Sequence, residues 1–80
     1  MIKNRLNSEG NEEGYWVSYY DNGNLSSKGS YVNGIRDGYW EYYHHNGQLW
    51  CKGNYVNGNR DGLWEKYNSD GEIESMSYYY

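Results

Sequence analysis

From Gly14 onward, polar and apolar positions alternate in short runs rather than recurring every three or four residues, which favours strands over helix. Each run is rich in Trp, Tyr and Val, lasts seven or eight residues, and ends at a turn signal. Gly interrupts the chain too often for a helix to survive. Asn22-Gly23, Asn46-Gly47 and Asp70-Gly71 are the dipeptides of two-residue hairpin turns, which need positive φ at both central residues. Asn33-Gly34 and Asn57-Gly58 mark the intervening turns, read here as longer loops of four residues that reach Arg36 and Arg60.

The pattern repeats with a shift of 24 residues. Gly14, Gly38 and Gly62 are each followed by a tryptophan (Trp16, Trp40, Trp64) and then a tyrosine (Tyr19, Tyr43, Tyr67). Leu25, Leu49 and Ile73 align, as do Lys28-Gly29 with Lys52-Gly53, and Tyr31, Tyr55 and Tyr79. Fixed-period self-similarity signals a repeat architecture. The expected fold is all-β: a single-layer twisted antiparallel meander of about six strands, or three β-hairpins. Residues 1–13 read as a degenerate half-repeat, with a first strand expected around Lys3 to Asn7. Residues 14–37, 38–61 and 62–80 are the three repeats of one domain.

If Asn22-Gly23 is a two-residue loop, Trp16 faces Gly29 and Gly14 faces Tyr31. Four-residue loops at Asn33 to Arg36 then place Tyr31 also opposite Gly38, and Gly29 opposite Trp40, so that rings cover neighbouring glycines. One face would carry Trp16, Trp40, Trp64, Leu25, Leu49, Ile73, Tyr31, Tyr55 and Tyr79 as cross-strand ladders. Strict alternation sends Tyr19, Tyr43, Tyr67, Val32, Val56 and Lys28 to the other face, unless a bulge brings the tyrosines across. Apolar residues are too few for a second layer, so aromatic ladders must substitute for a core.

The spacing G-x-W-x-x-Y-x-x-x-G-x-[LI]-x-x-K-G-x-Y-x-N-G-x-R-D-G resembles the MORN repeat in its bacterial variant of about 24 residues, over Gly14 to Tyr79. Met76-Ser77 stands where that pattern has Lys-Gly, and Tyr78-Tyr79-Tyr80 is an unusual terminal run. The resemblance implies a row of hairpins in an open, elongated sheet. It also implies a role in protein binding or membrane-lipid association, and bacterial members often carry an antitoxin label.

Composition narrows the chemistry. Aromatic residues make up 20% of the 80 residues, with four Trp, twelve Tyr and no Phe. Such side chains suit a half-wet binding surface. The net charge of −4 disfavours nucleic acid and anionic membranes as partners. The lone Cys51 cannot form an intrachain disulfide and fits a reducing compartment. The opening residues lack a signal-peptide pattern and no segment is long enough to span a bilayer, so a cytoplasmic location is expected.

His44, His45, Cys51 and Glu41 are the one cluster with metal-ligand chemistry. His44 pairs with Leu49 by the hairpin register and shares a face with Cys51, while His45 points away. Two ligands do not make a zinc site, and Cys51 occupies the slot of Ser27 and Ser75, so no metal or cofactor is expected. Asp37 and Asp61 recur with the repeat, as turn chemistry does and a unique active site does not. Arg36 and Arg60 either pair with neighbouring acids or stack on Tyr31 and Tyr55. No constellation of nucleophile and base is legible, so the chain reads as a non-enzyme.

The sequence therefore points to a protein-interaction module whose aromatic surface and open edges meet a protein partner. The candidate binding residues are Trp40, Tyr43, Trp50, Tyr55, Trp64, Tyr67, Tyr78, Tyr79 and Tyr80. Lys3, Arg5, Glu9, Glu12 and Glu13 guard the N-terminal edge, whereas Ile73, Met76 and the three terminal tyrosines leave the C-terminal edge apolar. That edge is expected to form a homodimer or dock a partner. The alternative is an acidic inhibitor, of phage anti-defence or antitoxin type, that mimics nucleic acid.

Overall fold

The computed structural model describes residues 4–80; Lys3, assigned above to a first strand and an edge-guarding role, lies outside them. Seven strands run in sequence order through one antiparallel sheet: β1 (Arg5–Leu6), β2 (Glu12–Tyr19), β3 (Leu25–Val32), β4 (Ile35–Tyr43), β5 (Leu49–Val56), β6 (Asn59–Tyr67) and β7 (Ile73–Tyr79). Six of them are the three expected hairpins. The seventh is the two-residue β1, the remnant of the degenerate half-unit. The extents of 41 × 35 × 18 Å are those of a slab one sheet thick with its side chains.

The Asn-Gly turns divide into two kinds, reversing the expected assignment. Asn33 and Gly34 both have positive φ (50° and 82°), as do Asn57 and Gly58 (53° and 83°). These are therefore the two-residue turns, closing Val32 on Ile35 and Val56 on Asn59. In the other hairpins only Gly23, Gly47 and Gly71 are positive. Gly23 N–H donates to Tyr20 O and Tyr20 N–H to Asn24 O, which makes Asp21-Asn22-Gly23 a three-residue loop. Asn22 is needed here for its carboxamide, since its Oδ1 accepts from Asn24 N–H and its Nδ2–H donates to His45 O in the next hairpin.

The turn lengths set the register. Trp16 faces Gly29 and Gly14 faces Tyr31, as expected. The tighter Asn33-Gly34 turn makes Tyr31 face Arg36 rather than Gly38. An irregularity around Gly38, at φ 80°, restores the predicted frame by Lys28 opposite Glu41. A second irregularity beside Tyr19, Tyr43 and Tyr67 pairs these residues with Leu25, Leu49 and Ile73. Register partners share a face. Leu25, Leu49 and Ile73 accordingly lie with the tyrosines and not, as expected, with the tryptophans.

Burial is concentrated where rings cover glycines. Among the described residues, Val17, Trp40, Tyr55 and Trp64 are the hydrophobic side chains that are buried. A Cβ on Gly29 would lie 2.1 Å from Trp40 Cδ2, and one on Gly53 2.3 Å from Trp64 Cδ2. Each indole thus rests directly on a neighbouring strand's backbone, and only glycine permits that approach. The ring over Gly29 belongs to Trp40 rather than Trp16.

Candidate functional site

The aromatic ladder organises one face. Trp16, Tyr31, Trp40, Tyr55 and Trp64 follow one another edge-to-face at centroid spacings of 5.9, 5.1, 6.3 and 5.1 Å. Tyr42 stacks near-parallel between Trp40 and Trp64, and its hydroxyl lies 3.0 Å from that of Tyr55. Burial, and then the bond to Tyr55, push the Tyr42 phenol well above its ordinary range. The indole N–H groups of Trp40 and Trp64 donate to Ser30 O and Asn54 O, so neither buried indole leaves its donor unpaired. Cys51 packs against this cluster, and burial raises its thiol pKa. That favours the protonated, poorly nucleophilic form.

Arg36 and Arg60 stand on the same face. Arg36 lies 5.5 Å from the Trp40 ring and 5.7 Å from Tyr55; Arg60 lies 4.4 Å from Trp64 and 5.6 Å from Tyr79, to whose hydroxyl it donates at 3.2 Å. Of the two expected roles, stacking is the one observed, with Tyr55 but not Tyr31 among the partners. Ion pairing fails because alternation places Asp37 and Asp61 on the opposite side of the sheet.

That opposite face carries a charged ladder. Lys28, Glu41, Lys52 and Glu65 are successive register partners, with ion pairs of 3.2 Å for Lys28–Glu41 and 3.8 Å for Lys52–Glu65. Burial alone would raise the Glu41 pKa. Hydrogen bonds from Tyr43, Tyr39 and Lys28 outweigh it and hold the carboxyl below its ordinary value. Tyr43 and Tyr67 belong here, bonded to Glu41 and Glu65. The irregularities beside these tyrosines do not bring them to the tryptophan face.

The hairpin tips are stitched across repeats. Tyr20 donates its hydroxyl to Tyr43 O, His44 Nε2–H donates to Tyr67 O at 2.8 Å, and Asn46 Nδ2–H donates to Ser69 O at 2.7 Å. His44 therefore serves as a clamp to the next unit. Its backbone pairs with Gln48, not Leu49 as expected, because the loop is one residue longer. The His45 ring leans on Tyr20 at 4.0 Å. Among the described residues, no group of three or more His, Cys, Asp or Glu side chains converges as a metal site would require.

The two edges of the sheet differ. On the N-terminal side, Asn4 Nδ2–H donates to Val17 O at 2.9 Å and Asn4 Oδ1 accepts from Val17 N–H at 2.7 Å. One carboxamide thus satisfies both edge groups of Val17 immediately before β1 begins. Sequence reasoning missed this and looked to charged gatekeepers instead. On the other side every residue of β7 is exposed, with Ile73, Met76 and Tyr78 at half or more of their surface.

The candidate binding residues are consequently dispersed. Trp40, Tyr55 and Trp64 are structural and buried, and Tyr43 and Tyr67 lie across the sheet from them. Trp50, Tyr78, Tyr79 and Tyr80 are exposed in the C-terminal half. A groove of about 430 Å³ opens there on the tryptophan face, lined among others by Arg60, Lys66, Ser75, Ser77 and Tyr79.

An open β-meander built of hairpin repeats, stitched tip to tip and stacked through indole–glycine contacts, is a repeat scaffold. The MORN repeat variant matches residues 12–33, 36–57 and 60–79, and the chain belongs to that family. No curated protein and no solved structure matches it. MORN repeats are generally interaction repeats and form a non-enzymatic module. Among the described residues, no helix is long and apolar enough to cross a membrane.

Proposed function

We propose that the protein is a non-catalytic protein-binding module that accepts a partner strand on the β7 edge, flanked by Trp50, Tyr78, Tyr79 and Tyr80. The asymmetry of the edges carries this reading: one is closed by β1 and the Asn4 carboxamide, while the other is exposed over its whole length. Exposed edge backbone templates strand addition, in which main-chain bonds give affinity and alternate side chains give specificity. A second copy of the chain is one such partner, pairing β7 with β7 about a two-fold axis. The free Cys51 suits a cytoplasmic setting. The inhibitor reading needs an unmatched acidic surface, whereas Glu41 and Glu65 are already matched by lysines.

The test compares wild type with a Tyr78–Tyr80 deletion and with Met76→Lys/Tyr78→Lys. Light scattering at high micromolar concentration reports self-association, and pull-down from the native host reports other partners. Both edge variants should lose the dimer or the captured protein with little loss of strand content. A wild-type monomer whose captured proteins are unchanged by either variant would overturn the proposal.

A further inference from the structure

Arg36 and Arg60 follow the two-residue turns in Arg-Asp pairs, and alternation separates each pair across the sheet. No carboxylate lies within 4.0 Å of either guanidinium among the described residues; the ion pairs present all involve lysines. Lys66, a third cation on this face, has only Glu74 at 4.0 Å, and both side chains are half exposed. The chain is acidic overall, yet this groove is lined by three cations, Arg36, Arg60 and Lys66, and by one carboxylate, Glu65, which is already paired with Lys52.

The groove runs to the open edge. Neighbouring strands lie about 4.8 Å apart, so a strand added beyond β7 would run roughly 10 Å from β6, which carries Arg60 and Lys66. Between them β7 presents only the short Ser75 and Ser77 on this face before Tyr79. An arginine or lysine reaching from one side and a glutamate from the other can span that distance above two serines.

Ser77 also limits what can occupy the edge. It stands where Gly29 and Gly53 receive an indole, and a Cβ at those positions would lie 2.1 and 2.3 Å from the ring. Because Ser77 has that Cβ, another unit of the same repeat cannot seat its tryptophan against β7. The edge fits a strand of different pattern.

We propose that the segment pairing with β7 is an acidic extended peptide whose carboxylates face the tryptophan side and engage Arg60 and Lys66. This rests on β7 being a strand-addition edge and specifies the chemistry of its partner. Charge complementarity chooses the occupant: Arg60 lies over Trp64 and Tyr79 with one N–H on the Tyr79 hydroxyl and no carboxylate partner among the described residues, Lys66 has only its 4.0 Å contact with Glu74, and an added carboxylate satisfies their remaining donors.

The probes are two end-blocked, dye-labelled peptides, Thr-Glu-Thr-Glu-Thr-Glu-Thr and its Gln counterpart, titrated by fluorescence anisotropy. The Glu peptide should bind about tenfold or more tighter than the Gln peptide, and the gap should shrink towards about 0.5 M salt. It should protect the amides of residues 73–79 from hydrogen exchange. Arg60→Gln/Lys66→Gln should remove the gap. Lys66→Gln alone, at a half-exposed position, should narrow it even if the double variant folds poorly. Equal affinity of both peptides with β7 protected would overturn the acidic preference while leaving strand addition standing. A Glu preference without β7 protection, or no binding of either peptide, overturns the proposal; the strand-addition reading is judged separately by its own edge variants.

Discussion

Gly53→Ala should destabilise the sheet about as much as removing the tryptophan above it. The new Cβ would lie 2.3, 2.4 and 2.5 Å from Trp64 Cδ2, Cε2 and Cγ, whereas packed carbons sit about 3.5–4.0 Å apart. The indole would have to withdraw by roughly 1.0–1.7 Å. It has nowhere to go in place, since Tyr55 meets it edge-on at 5.1 Å, Arg60 lies 4.4 Å from its ring and Asn54 O holds its N–H at 3.0 Å. Expelling a buried aromatic ring costs about 3–5 kcal/mol, against a gain of about 0.5–1 kcal/mol for replacing a strand glycine by alanine. The net loss of about 2–4 kcal/mol is a large share of the roughly 4–12 kcal/mol expected for a chain of this length. Thermal and urea melts by circular dichroism, in an osmolyte if needed, would measure it. In a cycle with Trp64→Ala, the double variant should be no less stable than Trp64→Ala alone, a coupling of at least about 2 kcal/mol. Ser77→Gly, with no ring to receive, should change stability by no more than a few tenths of a kcal/mol beyond the glycine penalty of about 0.5–1 kcal/mol. Additive costs at Gly53 and Trp64 would refute the socket.

Other predictions concern turns, edge and pH. Gly47, at φ 94°, should not tolerate valine, so Gly47→Val should cost more than about 2 kcal/mol while His45→Ala stays within about 0.5 kcal/mol; equal shifts in melting temperature would contradict the turn geometry. Asn4→Ala removes both bonds to Val17 and should cost about 1–2 kcal/mol, with faster amide exchange at Val17 as the specific readout. Glu41, whose folded pKa is lowered from 4.5, contributes stability that is present above pH 4.5 and lost as pH falls through its folded value. Lys28, raised from 10.5 by its bond to Glu41, contributes stability present below pH 10.5 and lost above it. Tyr42 and Tyr43, raised by burial, likewise favour folding until pH climbs past 10.0. Urea midpoints should therefore fall off at both extremes, and Glu41→Gln should flatten the acid limb.

The repeat period, the strand count and the indole–glycine pairing were legible because each rests on spacing along the chain. Turn type was not, because Asn-Gly satisfies two loops: one needs both residues at positive φ, the other only the glycine. What decides between them is the partner of the asparagine carboxamide. Asn22 and Asn46 reach the following tip, a contact 23 residues away in each case. The face of Leu49 was misjudged for a related reason, since an irregularity is invisible in a pattern of alternation. The exposed cations could have been found: in Arg36-Asp37 and Arg60-Asp61, adjacent residues in a strand must part to opposite faces, which forbids the local ion pair. The Asn4 cap left no signal, because a single asparagine ahead of a two-residue strand matches no motif.

Because each strand packs against its sequence neighbours and β1 never returns to β7, the first and last strands in sequence are the two edges of the sheet. Tension applied to the termini would therefore load one strand at a time rather than shear the whole sheet at once. The edge strands β1 and β7, each held along one side only, would peel before the inner ones, with β6 following β7 once its indole leaves Gly53. Each step would release a length set by one strand and one turn. A molecule of this design yields to force gradually, as a zip does, and re-closes by the same local contacts when the load is removed.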